Sequence, residues 1–252
     1  QVIGALVQGV TMLDETFAQY SALMVQEHEY GQQKMRKFLK YELDRYLSDR
    51  SGEVAEELPL ALNENQNYIH YRKGSVVMYA LKDYLGEELV DRVLARYDHD
   101  KAFQQPPYTT TREFLDDLRQ EAGPKWSPLI ADLFEKITVF DDRASEATAT
   151  KRPDGKYDVT FKIHAAKVYV DGVGKETPAK VDIPIDIGVF ARAPNGQEAD
   201  QPVLLLEKRD VPDGDSTMTV TVDGEPYEVG IDPYNKLVDR VSDDNRTRVV
   251  VK

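Results

Sequence analysis

The sequence predicts an α+β fold in two domains: an all-α region over residues 1–140, then an antiparallel β-sandwich over residues 141–252. Three observations carry that prediction. Apolar residues recur every three to four positions from Met12 to about Val139. After Phe140-Asp141-Asp142 the recurrence drops to every second position, and turn-forming pairs such as Asp171-Gly172 and Asp223-Gly224 separate the alternating runs.

In the first region, Met12, Phe17, Tyr20, Leu23 and Met24 form one helical stripe. Met35, Leu39, Leu43, Tyr46 and Leu47 form a second. A third long helix is predicted from Tyr68 to Leu85, with Val76, Val77, Ala80, Leu81 and Leu85 on its buried side and Gly86 as its stop. Shorter helices follow at 87–97, 111–121 and 124–137. Thr110 or Thr111 offers an N-cap oxygen, and Pro124 falls in a first turn, where the missing N–H is tolerated. The polar, acidic stretch 51–67 reads as a surface loop with a short turn. The mixed charges of Lys34–Arg45 read as an exposed helix face, and Trp126 with Leu129 and Leu133 as core.

In the second region, 157–163, 167–170, 181–187, 203–207, 217–222, 227–231 and 247–251 alternate as half-buried strands. Pro184 marks its strand as an edge or a bulge. Short strands at this spacing are the pattern of a small, immunoglobulin-like sandwich. Asp213-Gly214-Asp215 reads as a hairpin turn, since the spacing of a calcium-binding EF-hand loop is missing. His164, inside an alternating run, reads as an ordinary strand residue.

Composition narrows the function. The 252 residues carry 32 Lys+Arg against 45 Asp+Glu, a formal net charge of −13, which argues against nucleic acid or an anionic membrane surface as partner. No apolar run is long enough to span a bilayer. With 0 Cys, disulfides, thiolate metal sites and thiol nucleophiles are all excluded. The chain opens on Gln1 and an apolar stretch to Val7, which reads as a piece of a longer protein.

Two places could carry chemistry. In Leu13-Asp14-Glu15-Thr16-Phe17-Ala18-Gln19-Tyr20 a carboxylate sits on a largely apolar helix, either paired or metal-bound, or else a first-turn acid favoured by the helix dipole. In Asn67-Tyr68-Ile69-His70-Tyr71-Arg72-Lys73-Gly74, rings and cations open an apolar helix. A tyrosine there could donate to a developing oxyanion, or the group could be interfacial tyrosines with snorkelling cations. Gly74 costs helix propensity, so a close backbone approach is expected at it.

Taken together and in this order, the two stretches resemble the gluzincin zinc aminopeptidases, the family of aminopeptidase N. There a helix bearing HExxH gives two histidine ligands and a general-base Glu, and a following Leu-Asn-Glu-Gly-Phe-Ala-Glu-Tyr motif gives a third zinc ligand. Residues 13–20 are similar to that motif, with Thr16 for its Gly and Gln19 for its second Glu. Tyr71-Arg72-Lys73-Gly74 is similar to the family's Tyr-x-Lys-Gly element, and Tyr79–Gly86 to the helix after it.

The resemblance implies that residues 1–140 are the C-terminal half of a thermolysin-like peptidase domain, with Glu15 the metal ligand and Tyr71 the catalytic hydrogen-bond donor. It implies zinc as cofactor and a peptide as substrate of the intact parent. HExxH is missing from these residues, so the fragment is expected to begin just past the first two ligands and to be inactive alone. Phe140-Asp141-Asp142-Arg143 and Gly230–Lys236 look most like bacterial members fused to a permease. This would tie the parent to the inner membrane through segments outside this chain. The alternative is a non-catalytic interaction or scaffold module.

Overall fold

The computed structural model describes Ile3 and residues 7–252. Of the apolar opening, Ile3 is buried, and most of the rest lies outside the described residues. Two units separate: one holds the chain up to Glu29, Tyr41–Thr138 and Tyr169–Glu176, the other Tyr30–Lys40, Val139–Val168 and Thr177–Lys252.

The helices are α1 (Phe17–Tyr30), α2 (Met35–Gly52), α3 (Gly74–Leu85), α4 (Glu87–Lys101), α5 (Thr111–Ala122) and the short α6 (Ser127–Ile130). Wide π-helical turns at Met12–Thr16 and Tyr68–Lys73 lead into α1 and α3, and a third, Ala131–Glu135, follows α6. The sequence logic holds locally. Met35, Leu39, Leu43 and Tyr46 are fully buried along one side of α2. Thr110 caps α5, its side chain accepting from Glu113 N, and Gly86 ends α3 with φ +88. In the first unit Phe114 gathers the core, with Phe17, Tyr97 and Phe134 rings 4.8, 5.4 and 6.4 Å from it. Trp126 is half-buried rather than core, edge-on to Tyr84 with Lys125 over its ring.

The strands are β1 (Ile137–Lys151), β2 (Tyr157–Val170), β3 (Glu176–Ala179), β4 (Ile185–Phe190), β5 (Val203–Arg209), β6 (Gly214–Val222), β7 (Glu228–Ile231) and β8 (Arg246–Val251). They overturn the predicted fold class. Instead of an all-α part followed by a sandwich, the protein is mixed α/β, with one curled half-barrel sheet in the order β3-β2-β1-β8-β7-β4-β5 and β6 also on β2. The physical reason is β1, which the sequence reading missed. β1 pairs in parallel with β8, Ala147 opposite Val249, and so joins by hydrogen bonds two groups of strands that a sandwich would keep as separate sheets.

Two local expectations change with the topology. Pro184 precedes β4 and removes no ladder donor, so β4 runs between β5 and β7 with all six residues buried. Asp213-Gly214-Asp215 is no hairpin, because β5 pairs with β4 and β6 with β2. Among the described residues no helix is long and apolar enough to cross a membrane.

Candidate functional site

Glu15 and Tyr71 each lie in a π-helical turn, a widened backbone that re-aims side chains and recurs at functional sites. The two residues meet. The Glu15 carboxylate beside its hydroxyl, with some desolvation, holds the Tyr71 phenol above its ordinary value. Both side chains are partly exposed.

What brings them together is the fit of their neighbours. Thr16 Oγ1 donates to the His70 carbonyl at 2.7 Å in a buried setting. Gly74 lies against the same threonine: a Cβ there would stand 2.5 Å from Thr16 Oγ1 and 2.8 Å from Cγ2. The expected close approach at Gly74 is therefore present, and its partner is the residue that replaces the motif's glycine. His70 packs edge-on to Tyr71 at 4.5 Å, with Asn63 Nδ2 2.8 Å from its Nδ1. Burial lowers the His70 pKa, and the Glu15 charge opposes this. Beside Glu15 a cavity of about 520 Å³ is walled by Leu13, Phe17, Leu94 and Tyr97.

Two buried carboxylates support the site, and the sequence reading missed both. Glu42 accepts from Gln19 Nε2 at 3.0 Å and from Arg72 Nη1 at 2.8 Å. It thus ties the helix after Glu15 to the residue after Tyr71. The hydrogen bond to Glu42 holds the Arg72 guanidinium above its ordinary value. A signal existed: Glu42 falls on the buried stripe three residues after Leu39, not on an exposed face of the charge run.

The other is Glu57. It accepts from Tyr46 Oη at 2.6 Å, Arg50 Nε at 2.5 Å and Lys73 Nζ at 3.3 Å. Burial pushes Glu57 up, but Lys73, Tyr46 and Arg50 more than reverse this and leave it below the ordinary carboxylate range. Lys73, fully buried, is held down by desolvation against the pull of Glu57. The lysine of the Tyr-x-Lys-Gly element is thus a buried ion-pair partner.

A tetrahedral catalytic zinc takes three protein ligands and an open position. Beside Tyr71 stand the Glu15 carboxylate and the His70 ring, whose Nδ1 is engaged by Asn63; His28, farther along α1, is exposed and paired with Glu87 at 3.2 Å. Among the described residues no three His, Cys, Asp or Glu side chains are arranged to hold a metal ion. The residues present do not fit a zinc by themselves. The pair can instead present a phenol hydroxyl beside a carboxylate that itself borders a cavity with apolar walls.

No family model matches the chain, and no curated protein matches it. Among solved structures it is similar to Legionella pneumophila aminopeptidase A, solved in complex with aspartic acid, at 14% identity and a TM-score of 0.51. The match covers 100% of this chain and 25% of that one, so the chain spans about a quarter of the enzyme's length. At this identity the likeness is one of fold, and the fold is that of part of an aminopeptidase.

Proposed function

We propose that this chain is the C-terminal portion of a zinc-dependent aminopeptidase, in which Glu15 supplies one metal ligand and Tyr71 a hydrogen bond to the oxyanion of the tetrahedral intermediate. The observation that carries the reading is that Glu15 stands beside the Tyr71 hydroxyl, which brings together two motifs far apart in sequence. The fold shared with part of an aminopeptidase supports it. In this reading the remaining zinc ligands and the grip on the peptide amino terminus come from residues outside this sequence, as does any membrane attachment. The chain's own part is to orient a phenol against a developing negative charge.

A second reading, a non-catalytic interaction or scaffold module, is favoured by the same contact seen differently: Tyr71 already satisfies Glu15 without a metal. One experiment separates the two. A longer form of the protein, extended upstream of Gln1, is assayed for zinc and for hydrolysis of aminoacyl substrates beside its Glu15→Ala and Tyr71→Phe variants. Loss of zinc and activity in Glu15→Ala, with zinc kept and turnover lost in Tyr71→Phe, establishes the peptidase. A longer form that holds no zinc and hydrolyses nothing leaves the scaffold reading.

A further inference from the structure

The second unit holds a cavity of about 470 Å³ whose charge is opposite to that of the chain. Four cations line it, Arg36, Lys37, Lys40 and Arg246, against the carboxylates of Glu198 and Asp243. Depth sorts the charges. The Arg246 and Arg36 side chains are 7% and 17% exposed, whereas Glu198 is 50% and Asp243 81% exposed. The two arginines lie deep, while Glu198 and Asp243 lie at the rim.

The two arginines converge on a single atom. Arg36 Nη1 and Arg246 Nη1 both donate to Glu198 Oε1, the latter at 2.8 Å. Arg246 is fixed in place: its guanidinium lies 4.0 Å over the Phe190 ring, and its other terminal nitrogen reaches Gln201 at 2.7 Å and Glu228 at 3.0 Å. A planar guanidinium immobilised in this way is preorganised for an incoming carboxylate. Burial first, then the charge of Arg246, push Arg36 down to about 10, consistent with two cations facing each other. Glu198 reaches them from the short turn Glu198–Asp200 between β4 and β5.

The geometry points to a carboxylate-binding site in this cavity, with the Arg36 and Arg246 guanidinium groups as its clamp and Glu198 as an internal anion that occupies the seat until a ligand displaces it. The ligand is a carboxylate carried on an apolar or aromatic body, since Phe190 and Tyr234 form the wall beside the clamp. Because Glu198 is half-exposed, its displacement returns a charge to water and leaves no buried charge behind. Lys37, exposed at the rim, adds attraction for the incoming anion.

The test uses the 252-residue chain and N-acetyl-L-glutamate, which imitates the Glu198 side chain. Glu198→Gln empties the seat of charge and is expected to bind this probe about tenfold tighter than the unaltered chain by calorimetry. Arg246→Met added to Glu198→Gln is expected to abolish that binding. On the unaltered chain, N-acetylglutamate is expected to raise the thermal midpoint while the neutral N-acetylglutaminamide, with both carboxyls amidated, leaves it unchanged, a readout that does not depend on any variant folding. Equal weak binding by both forms, equal response to both probes, or a preference for inorganic phosphate over the carboxylate would overturn the assignment.

Discussion

Gly74 and Thr16 share one volume: the hydrogen of the glycine faces the threonine hydroxyl where a methyl group would stand 2.5 Å from it. Substituting Gly74→Ala is therefore expected to destabilise the first unit by about 1–3 kcal/mol, despite alanine's better helix propensity. Adding Thr16→Gly clears the space and is expected to recover part of the loss, although it also removes the hydrogen bond to the His70 carbonyl. Denaturant titration of the two single variants and the double variant gives the coupling directly. Strictly additive losses would mean that the two residues do not pack as described.

The Tyr71 phenol reports on Glu15. The carboxylate holds the neutral hydroxyl, so this contact contributes stability below the phenol's ordinary range and loses it as pH rises through the raised value. In Glu15→Gln the Tyr71 ionisation is expected to return toward its ordinary value. Ultraviolet difference titration, with Tyr71→Phe subtracted to isolate this one tyrosine, makes the measurement. An unchanged ionisation in Glu15→Gln would show the pair to be apart in solution.

Removing one member of the Glu57 cluster strands the others. Glu57→Gln leaves Lys73 without its carboxylate in a fully buried position, and the expected cost is about 3–5 kcal/mol. The double variant Glu57→Gln with Lys73→Met is expected to lose markedly less, because no isolated charge then remains. Glu57 titrates below its ordinary range, so its contribution is present above that range and is lost as pH falls through the lowered value. Chemical unfolding at pH 7 and pH 3.5 tests both statements. The single-variant deficit should shrink at the lower pH.

In the second unit three buried acids behave in the opposite sense. Asp142 is fully buried with neither carboxylate oxygen partnered, and burial followed by the charge of Asp239 raises it well above the ordinary range. Burial likewise pushes Asp239 up to about 7 and Asp232 up to about 8, though backbone N–H groups pull both downward. Groups raised in the folded state favour folding fully below their unfolded values, and that favour is lost as pH rises through the folded ones. Stability of this unit is therefore expected to decline from pH 5 to pH 8. Asp142→Asn, which cannot ionise, is expected to flatten the decline and to gain at least about 1 kcal/mol at pH 8. Thermal midpoints across that range decide the matter, and a profile that rises with pH would contradict the assignment.

How far the sequence can be read is set by which interactions are local. The stripe of α2 and the cap on α5 depend on neighbours three or four residues away, and they appear where expected, whereas α3 is buried on every side from Gly74 to Lys82 rather than along one stripe. β1 was invisible because its apolar start, Ile137, Val139 and Phe140, continues the helical run before it, and its later inward residues, Ala144, Ala147 and Ala149, are small and stand among Ser, Glu and Thr. Strand pairing is a long-range choice, and seven alternating runs fit a sandwich as well as a half-barrel until β1 is placed. At the site, Glu15 and Tyr71 could each be singled out by residue type. Their contact runs through Thr16 and Gly74, and a side-chain volume excluded across two helices leaves no trace in local periodicity.

The parallel pairing of β1 with β8 also sets an order of events during synthesis. Ala147 emerges from the ribosome long before Val249, its partner. Until the final strand is made, β1 keeps a row of open amide and carbonyl groups along one side, and β7 keeps another. Closure of the half-barrel is therefore a long-loop event that waits until β8 has been made. The weakest moment of this protein's life falls there: unpaired edges of that kind are where a neighbouring nascent chain could add itself to the sheet.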